Sequence, residues 1–213
     1  MDKIIIDSYE IAPGLPAFVI AEIGFNHGGN MKLAAKMIEE AAQAGANAVK
    51  FQSYFSDELV HENSEHFKII KPGELSFDDH QFLFGVAKQN SIPMISTPFS
   101  EKAVDVLEAM NVPAYKIASM DLNNHPLLRY IATLKKPMIV STGMSTLEEI
   151  ACAIEVIKEA GNEQIILLHC ISKYPTPIEE ANVRLIPFLH AAFNLPVGFS
   201  DHVLGNVASI GAM

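Results

Sequence analysis

The chain is poor in cysteine: it has two, Cys152 and Cys170, and neither stands in a CxxC or zinc-type spacing. That excludes a disulfide framework and points to a reduced, cytoplasmic setting. No apolar run approaches the roughly 18 residues that a membrane span needs. The opening MDKIIIDSYEIAPG has too short an apolar stretch and too early an acid for a signal peptide. Positive charge is also scarce, with 15 Lys and Arg against 25 Asp and Glu and a formal net charge of −10. A general nucleic-acid or phospholipid surface is therefore not expected, whereas an anionic small molecule is still compatible, because lysines gathered in one cleft set a local positive field. A Walker-type glycine loop is missing; Gly28-Gly29 after Asn26-His27 reads as a tight turn. Low-complexity segments and internal domain boundaries are missing too.

What is present is repetition. At 49% hydrophobic, the 213 residues support one substantial core. Seven short apolar runs recur, each followed by a helical stretch: FVIAEIGFNH, AVKFQS, PMISTPF, AYKIASMD, PMIVSTG, IILLHCIS and PVGFSDH. Alternation of strand and helix at this spacing implies an α/β fold with a parallel sheet, and predicts a (β/α)₈ TIM barrel. Helices are expected over 31–44, 79–90, 101–111, 124–135, 146–160 and 181–193, the fifth opened by a segment Ser145-Thr146-Leu147-Glu148-Glu149 that fits an N-cap with acids in the first turn. Residues 3–20 read as a β-hairpin turning around Pro13-Gly14, and 55–80 as a long polar loop. An eighth strand is not found before Met213, so 1–213 is expected to be one catalytic barrel domain, incomplete after about seven strands.

In such a barrel the carboxyl ends of the strands carry the chemistry. Strand alternation puts Lys50 and Gln52 on one face, with Val49 and Phe51 turned toward helices, and it points Glu22, Gly24 and Lys116 inward. Two lysines and an acid at one end suggest a bound anion with acid–base work; the alternative is a structural Lys–Glu pair. Hydroxyls follow the same trend: Thr97, Ser119, Ser141, Ser172 and Ser200 lie at or just past strand ends. Singly each suits a turn or a cap, but together with the lysines they could wrap a phosphate. His202, after Ser200-Asp201, is the metal-ligand candidate, with His27 able to contribute, against the alternative of a hydrogen-bonded structural histidine. His169 reads as a core histidine, and His61, His66, His80, His125 and His190 as loop or surface residues. Tyr174-Pro175-Thr176-Pro177 is stiff and would hold the Tyr174 hydroxyl in place, unless it is an ordinary turn.

In this order the segments resemble the sialic acid synthase family, which condenses phosphoenolpyruvate with an amino sugar. The matching pieces are Ala21-Glu22-Ile23-Gly24 with Asn26-His27, Lys50-Phe51-Gln52, Thr97-Pro98-Phe99, Lys116-Ile117-Ala118-Ser119, Ser141-Thr142-Gly143-Met144, His169-Cys170, Tyr174-Pro175-Thr176-Pro177 and Gly198-Phe199-Ser200-Asp201-His202. The resemblance implies that Lys50, Thr97, Lys116, Ser119, Ser141, Ser172 and Ser200 hold phosphoenolpyruvate. It implies sugar and acid–base contacts at Glu22, Gln52, Asp121 and Tyr174, and a divalent metal, Mn²⁺ or Mg²⁺, at His202. Asp121 stands where a glutamate is typical and Ser172 where an asparagine often stands, so a sibling specificity for legionaminic or pseudaminic acid is the alternative within this chemistry. The family's second metal histidine and its C-terminal antifreeze-like domain, which completes the partner's site in the dimer, have no counterpart here. Little or no synthase activity is therefore expected of this polypeptide alone. Readings of other classes are a Schiff-base aldolase using Lys50 or Lys116, and an inactive fragment that associates through open strand edges.

Overall fold

A computed structural model describes residues 3–213. They form two compact units, Phe18–Tyr115 in one, and the stretch up to Ala17 with Lys116–Met213 in the other. The chain opens with a hairpin, β1 (Ile4–Ile6) and β2 (Tyr9–Ile11), in which Ile6 pairs with Tyr9. The turn is thus Asp7-Ser8, with Asp7 at φ 54°, and not Pro13-Gly14 as the sequence suggests. A two-residue loop with a left-handed residue matches strand twist, and aspartate tolerates that conformation. Pro13-Gly14 belongs to a separate turn closed by Leu15 N–H on the Ala12 carbonyl at 3.2 Å.

The Phe18–Tyr115 unit runs β3 (Ile20–Gly24), α1 (Met31–Gln43), β4 (Ala48–Ser53), α2 (Ser56–Leu59), α3 (Glu65–Ile70), α4 (Phe77–Gln89), β5 (Met94–Pro98) and α5 (Glu101–Ala109). Its strands are parallel, with Lys50 in register with Glu22 on one side and Ile95 on the other. Strand parity has the expected result. Val49 and Phe51 are fully buried in a cluster with Ala34 and Ile38 of α1 and Leu83 and Ala87 of α4, each large side chain worth about 1.5–3 kcal/mol of burial. The expected loop over 55–80 is in fact organised. It holds α2, α3, a 3-10 turn at Lys71–Gly73 and the start of α4, whose Ser76 and Asp79 form a capping box. Helices of four and six residues are too short for a hydrophobic period to show.

The next strand, β6 (Tyr115–Ile117), opens with Tyr115 paired to Ser96 and carries the chain into the other unit. There follow a 3-10 turn at Ser119–Asp121, α6 (His125–Thr133), β7 (Met138–Ser141), α7 (Leu147–Glu159), β8 (Ile165–Cys170), α8 (Leu185–Phe193), β9 (Val197–Ser200) and α9 (Val207–Ala212). The cap expected in the segment from Ser145 is Thr146, which forms a box with Glu149 at the start of α7. The helix expected from 181 begins at Leu185, behind a 3-10 turn at Ile178–Glu180. Leu128 and Ile131 of α6, Ile157 of α7, and Ile165 and Leu167 of β8 are fully or almost fully buried. Among the described residues the parallel strands β3 to β9 are seven and follow one another in chain order, each succeeded by helix. The fold class is α/β and TIM-barrel-like.

Candidate functional site

Each unit holds one cluster of the polar strand-end residues. In the Phe18–Tyr115 unit the centre is Lys50, 6% exposed. Its ammonium lies 2.9 Å from Glu22 Oε2 and donates to Thr97 Oγ1 at 3.0 Å. An ammonium only donates, so the Thr97 hydroxyl accepts here and its own proton remains to be given elsewhere. The β3–β4 register slips between Glu22 and Gly24, and Gly24 sits at φ +58°, where a Cβ would stand 3.1 Å from Glu22 Oε1. That bulge is how the strand presents Glu22 to Lys50. Gln52 is half-buried beside Gly24.

In the other unit Lys116, 8% exposed, donates to Ser141 Oγ at 2.5 Å and to the Ile117 carbonyl at 2.8 Å. The Gly143 amide donates to Ser119 Oγ at 3.1 Å, and the Ser172 hydroxyl also stands against Gly143. Asp121, in the 3-10 turn, is buried; its Oδ2 has no hydrogen-bond partner among the described residues. Burial pushes its carboxyl above the usual range, opposed by the Asn124 amide. Ser200 ends β9, half-buried and in register with Cys170.

The His202 Nδ1 faces the Ile171 carbonyl at 2.7 Å. A carbonyl only accepts, so Nδ1 carries the proton and Nε2 keeps its lone pair, the arrangement of a metal-ligating imidazole. The exposed Tyr174 ring packs against His202 at a tilt of 35° with centroids 4.0 Å apart, and Thr176 N–H donates to the His202 carbonyl at 2.8 Å. The Tyr-Pro-Thr-Pro stretch, with a cis Tyr174–Pro175 bond, is therefore tied to the end of β9. Among the described residues no group of three or more His, Cys, Asp or Glu converges. His202 therefore offers a single ring nitrogen to a ligand, with no set of donors gathered around it among the described residues.

Other histidines are accounted for locally. His169 is buried, gives its Nε2 proton to the Ala181 carbonyl at 2.8 Å and stacks on Phe199. In His27 the Gly29 amide occupies Nδ1, and Nε2 has no partner among the described residues. The expectation of a loop or surface His80 is wrong. It is 2% exposed on α4, its Nδ1 proton given to the Ser76 carbonyl and its Nε2 accepting from Ser53 Oγ at 2.8 Å, which in turn meets Ser96 Oγ at 2.7 Å. A reading centred on inward-facing residues passes over this buried chain, because by strand parity Ser53 and Ser96 share the helix-side face with Phe51.

A family model described as the NeuB family matches residues 37–213. The chain is 46% identical over 210 residues to an uncharacterized protein of Methanocaldococcus jannaschii, covering 99% of this chain and 62% of that protein. It is 38% identical over 209 residues to the N,N'-diacetyllegionaminic acid synthase of Legionella pneumophila, covering 90% of this chain and 59% of that enzyme. The crystal structure of N-acetylneuraminic acid (sialic acid) synthetase from Leptospira borgpetersenii in complex with citrate superposes with a TM-score of 0.95 at 36% identity, over 99% of this chain and 74% of that one. The chain thus spans about three-fifths of the length of these two curated relatives.

Proposed function

The chain belongs to the NeuB family, and from that premise we propose that it carries the substrate-holding residues of a nonulosonic acid synthase. The reaction is condensation of phosphoenolpyruvate with an N-acetylated amino sugar, N-acetylmannosamine or a close analogue, with release of phosphate. One observation carries the reading: the buried Lys116 ammonium donates to Ser141 while the Gly143 amide donates to Ser119. Both hydroxyls are thereby left as donors, which suits a phosphate or carboxylate that can only accept. Lys50 and Thr97 repeat the pattern in the other unit, and Ser172 and Ser200 would add further donors.

Glu22 is the residue we assign to proton transfer at a sugar hydroxyl, with Gln52 and Tyr174 as sugar contacts. Asp121, its protonated form favoured by burial, would serve as a proton donor. His202 would hold Mn²⁺ or Mg²⁺ through Nε2; such an ion, when bound, polarises a carbonyl oxygen. Legionaminic or pseudaminic acid specificity is the second reading, supported by the 38% identity to the N,N'-diacetyllegionaminic acid synthase, with Asp121 and Ser172, which stand where the resemblance leads one to expect glutamate and asparagine, able to alter the choice of sugar. A Schiff-base lysine needs an apolar pocket or a neighbouring cation, and both ammonium groups sit among oxygen acceptors instead.

Calorimetric titration with phosphoenolpyruvate tests the reading. Wild type should bind, and Lys116→Ala should bind about 10–100-fold more weakly, the loss expected when a charge-assisted hydrogen bond goes. Absence of binding by wild type overturns it, and a borohydride-trapped covalent adduct would move the chain to the aldolase class. Calorimetric titration with a panel of N-acetylated sugars, in the presence of phosphoenolpyruvate, then ranks the candidate substrates.

A further inference from the structure

The residue that organises the Ser119–Ser172 end of this anion site has no functional group of its own. Gly143 is buried, and its backbone is held on every side. Its N–H donates to Ser119 Oγ at 3.1 Å, and its carbonyl accepts from Ser145 Oγ at 3.2 Å. The preceding residue is pinned as well: Thr142 N–H and Oγ1 both donate to the Leu168 carbonyl at 3.0 Å. The following residue, Met144, is driven to φ +62°, a left-handed conformation that costs a residue with a Cβ about 1–2 kcal/mol. A backbone tied at four hydrogen bonds and strained at the next residue is placed by its surroundings, not by local preference.

The space at Gly143 is fully used. A Cβ there would stand 2.6 Å from Ser172 Oγ, 2.9 Å from Ser119 Oγ and 3.2 Å from the Cys170 carbonyl oxygen. The first two distances are below any tolerable carbon–oxygen contact, and the third is a backbone atom that cannot rotate away. Two hydroxyls from different strand ends converge where a side chain would otherwise be. The amide adds direction: Ser119 Oγ accepts from it, so the Ser119 proton points to another acceptor.

We infer that Gly143 is a positioning residue of the anion site: its amide fixes Ser119 as a donor, and its missing side chain makes the room in which the Ser119 and Ser172 hydroxyls stand. The inference rests on the phosphoenolpyruvate reading above. In Gly143→Ala both serines must leave their places, by rotation about χ1, while the strands beneath keep their packing.

The test is a mutant cycle read by calorimetry with phosphoenolpyruvate, together with ligand-free crystal structures. Gly143→Ala alone should weaken binding about tenfold or more. Introduced into the Ser119→Ala/Ser172→Ala background it should cost less than about twofold, because the groups it acts through are gone. An equal loss in both backgrounds, or none in the first, overturns the inference, since a merely structural glycine would weaken both alike. If Gly143→Ala alone does not fold, Gly143→Ala/Ser172→Ala removes the closest contact and replaces it, compared with Ser172→Ala. If wild type binds no phosphoenolpyruvate, the functional reading fails by itself, and the crystal structures judge Gly143: hydroxyls displaced in Gly143→Ala support the inference, and hydroxyls unmoved overturn it.

Discussion

Lys50 and Glu22 form an ion pair whose ends lie in unlike surroundings, the lysine side chain 7% exposed and the glutamate side chain 56% exposed, 2.9 Å apart. The carboxylate is well solvated, so the pair contributes only about 0–1 kcal/mol to stability. Its weight is electrostatic and local: Glu22 occupies the ammonium that an incoming anion would need.

Glu22→Gln keeps the shape and removes the competing charge. Thermal stability should fall by no more than about 1 kcal/mol, while phosphoenolpyruvate and inorganic phosphate should bind more tightly in a calorimeter. Turnover, in whatever form of the protein is active, should drop if Glu22 carries the proton-transfer role proposed for it. Weaker phosphate binding in the variant would mean that Glu22 does not compete for Lys50.

Asp121 gives a pH dependence of stability. Burial raises its folded pKa above the ordinary 3.8, so the native state holds a proton that the unfolded chain has lost, and stability declines as pH rises through that interval. Asp121→Asn should melt higher than wild type at neutral pH, with the difference vanishing below about pH 3.8. Equal melting temperatures at neutral pH would show that the orphaned oxygen finds a partner in solution.

His80 acts in the opposite sense. Burial holds it below its ordinary 6.5, against the Ser76 carbonyl and Asp79. The native state then takes up a proton less readily than the unfolded chain, so stability is full above 6.5 and is lost as pH falls below it. His27 shares this direction, lowered by burial and opposed by Asp79. His80→Gln should therefore flatten part of the acid-side slope in denaturant melts; an unchanged slope would assign the whole effect elsewhere.

Tyr54 anchors the ordered segment that follows β4. Its phenol donates to the Ile70 carbonyl at 2.7 Å, and burial, with the Glu74 charge, pushes its pKa up to about 12. Absorbance titration should show a tyrosine ionising near 12, and that transition should be missing in Tyr54→Phe. The variant should lose about 1 kcal/mol and exchange amide protons faster across 65–73. If exchange there is unaltered, the hydrogen bond does not hold the segment.

The strands were legible because each is a short apolar run bounded by proline or polar residues, and parallel βα units force that pattern. Parity along AVKFQS was enough to separate Lys50 and Gln52 from the core-facing Val49 and Phe51. The segment 55–80 was not legible, since α2 and α3 are too short to show a period and are held by contacts such as Tyr54 on Ile70. The hairpin turn at Asp7-Ser8 is not legible in the sequence, because proline and glycine are louder signals than an aspartate in the left-handed region.

The sequence by itself determined the alternation of strand and helix, the lysines and hydroxyls at strand ends, and the family to which they point. Those are properties of period and residue type, which survive without knowing any distance. Tertiary structure alone decided what each group does with its protons: which hydroxyl accepts from a lysine, which nitrogen of His202 is left bare, and that a side chain at Gly143 would displace two serines. Such facts depend on atoms a few ångströms apart but many residues apart in sequence, and no local pattern encodes them.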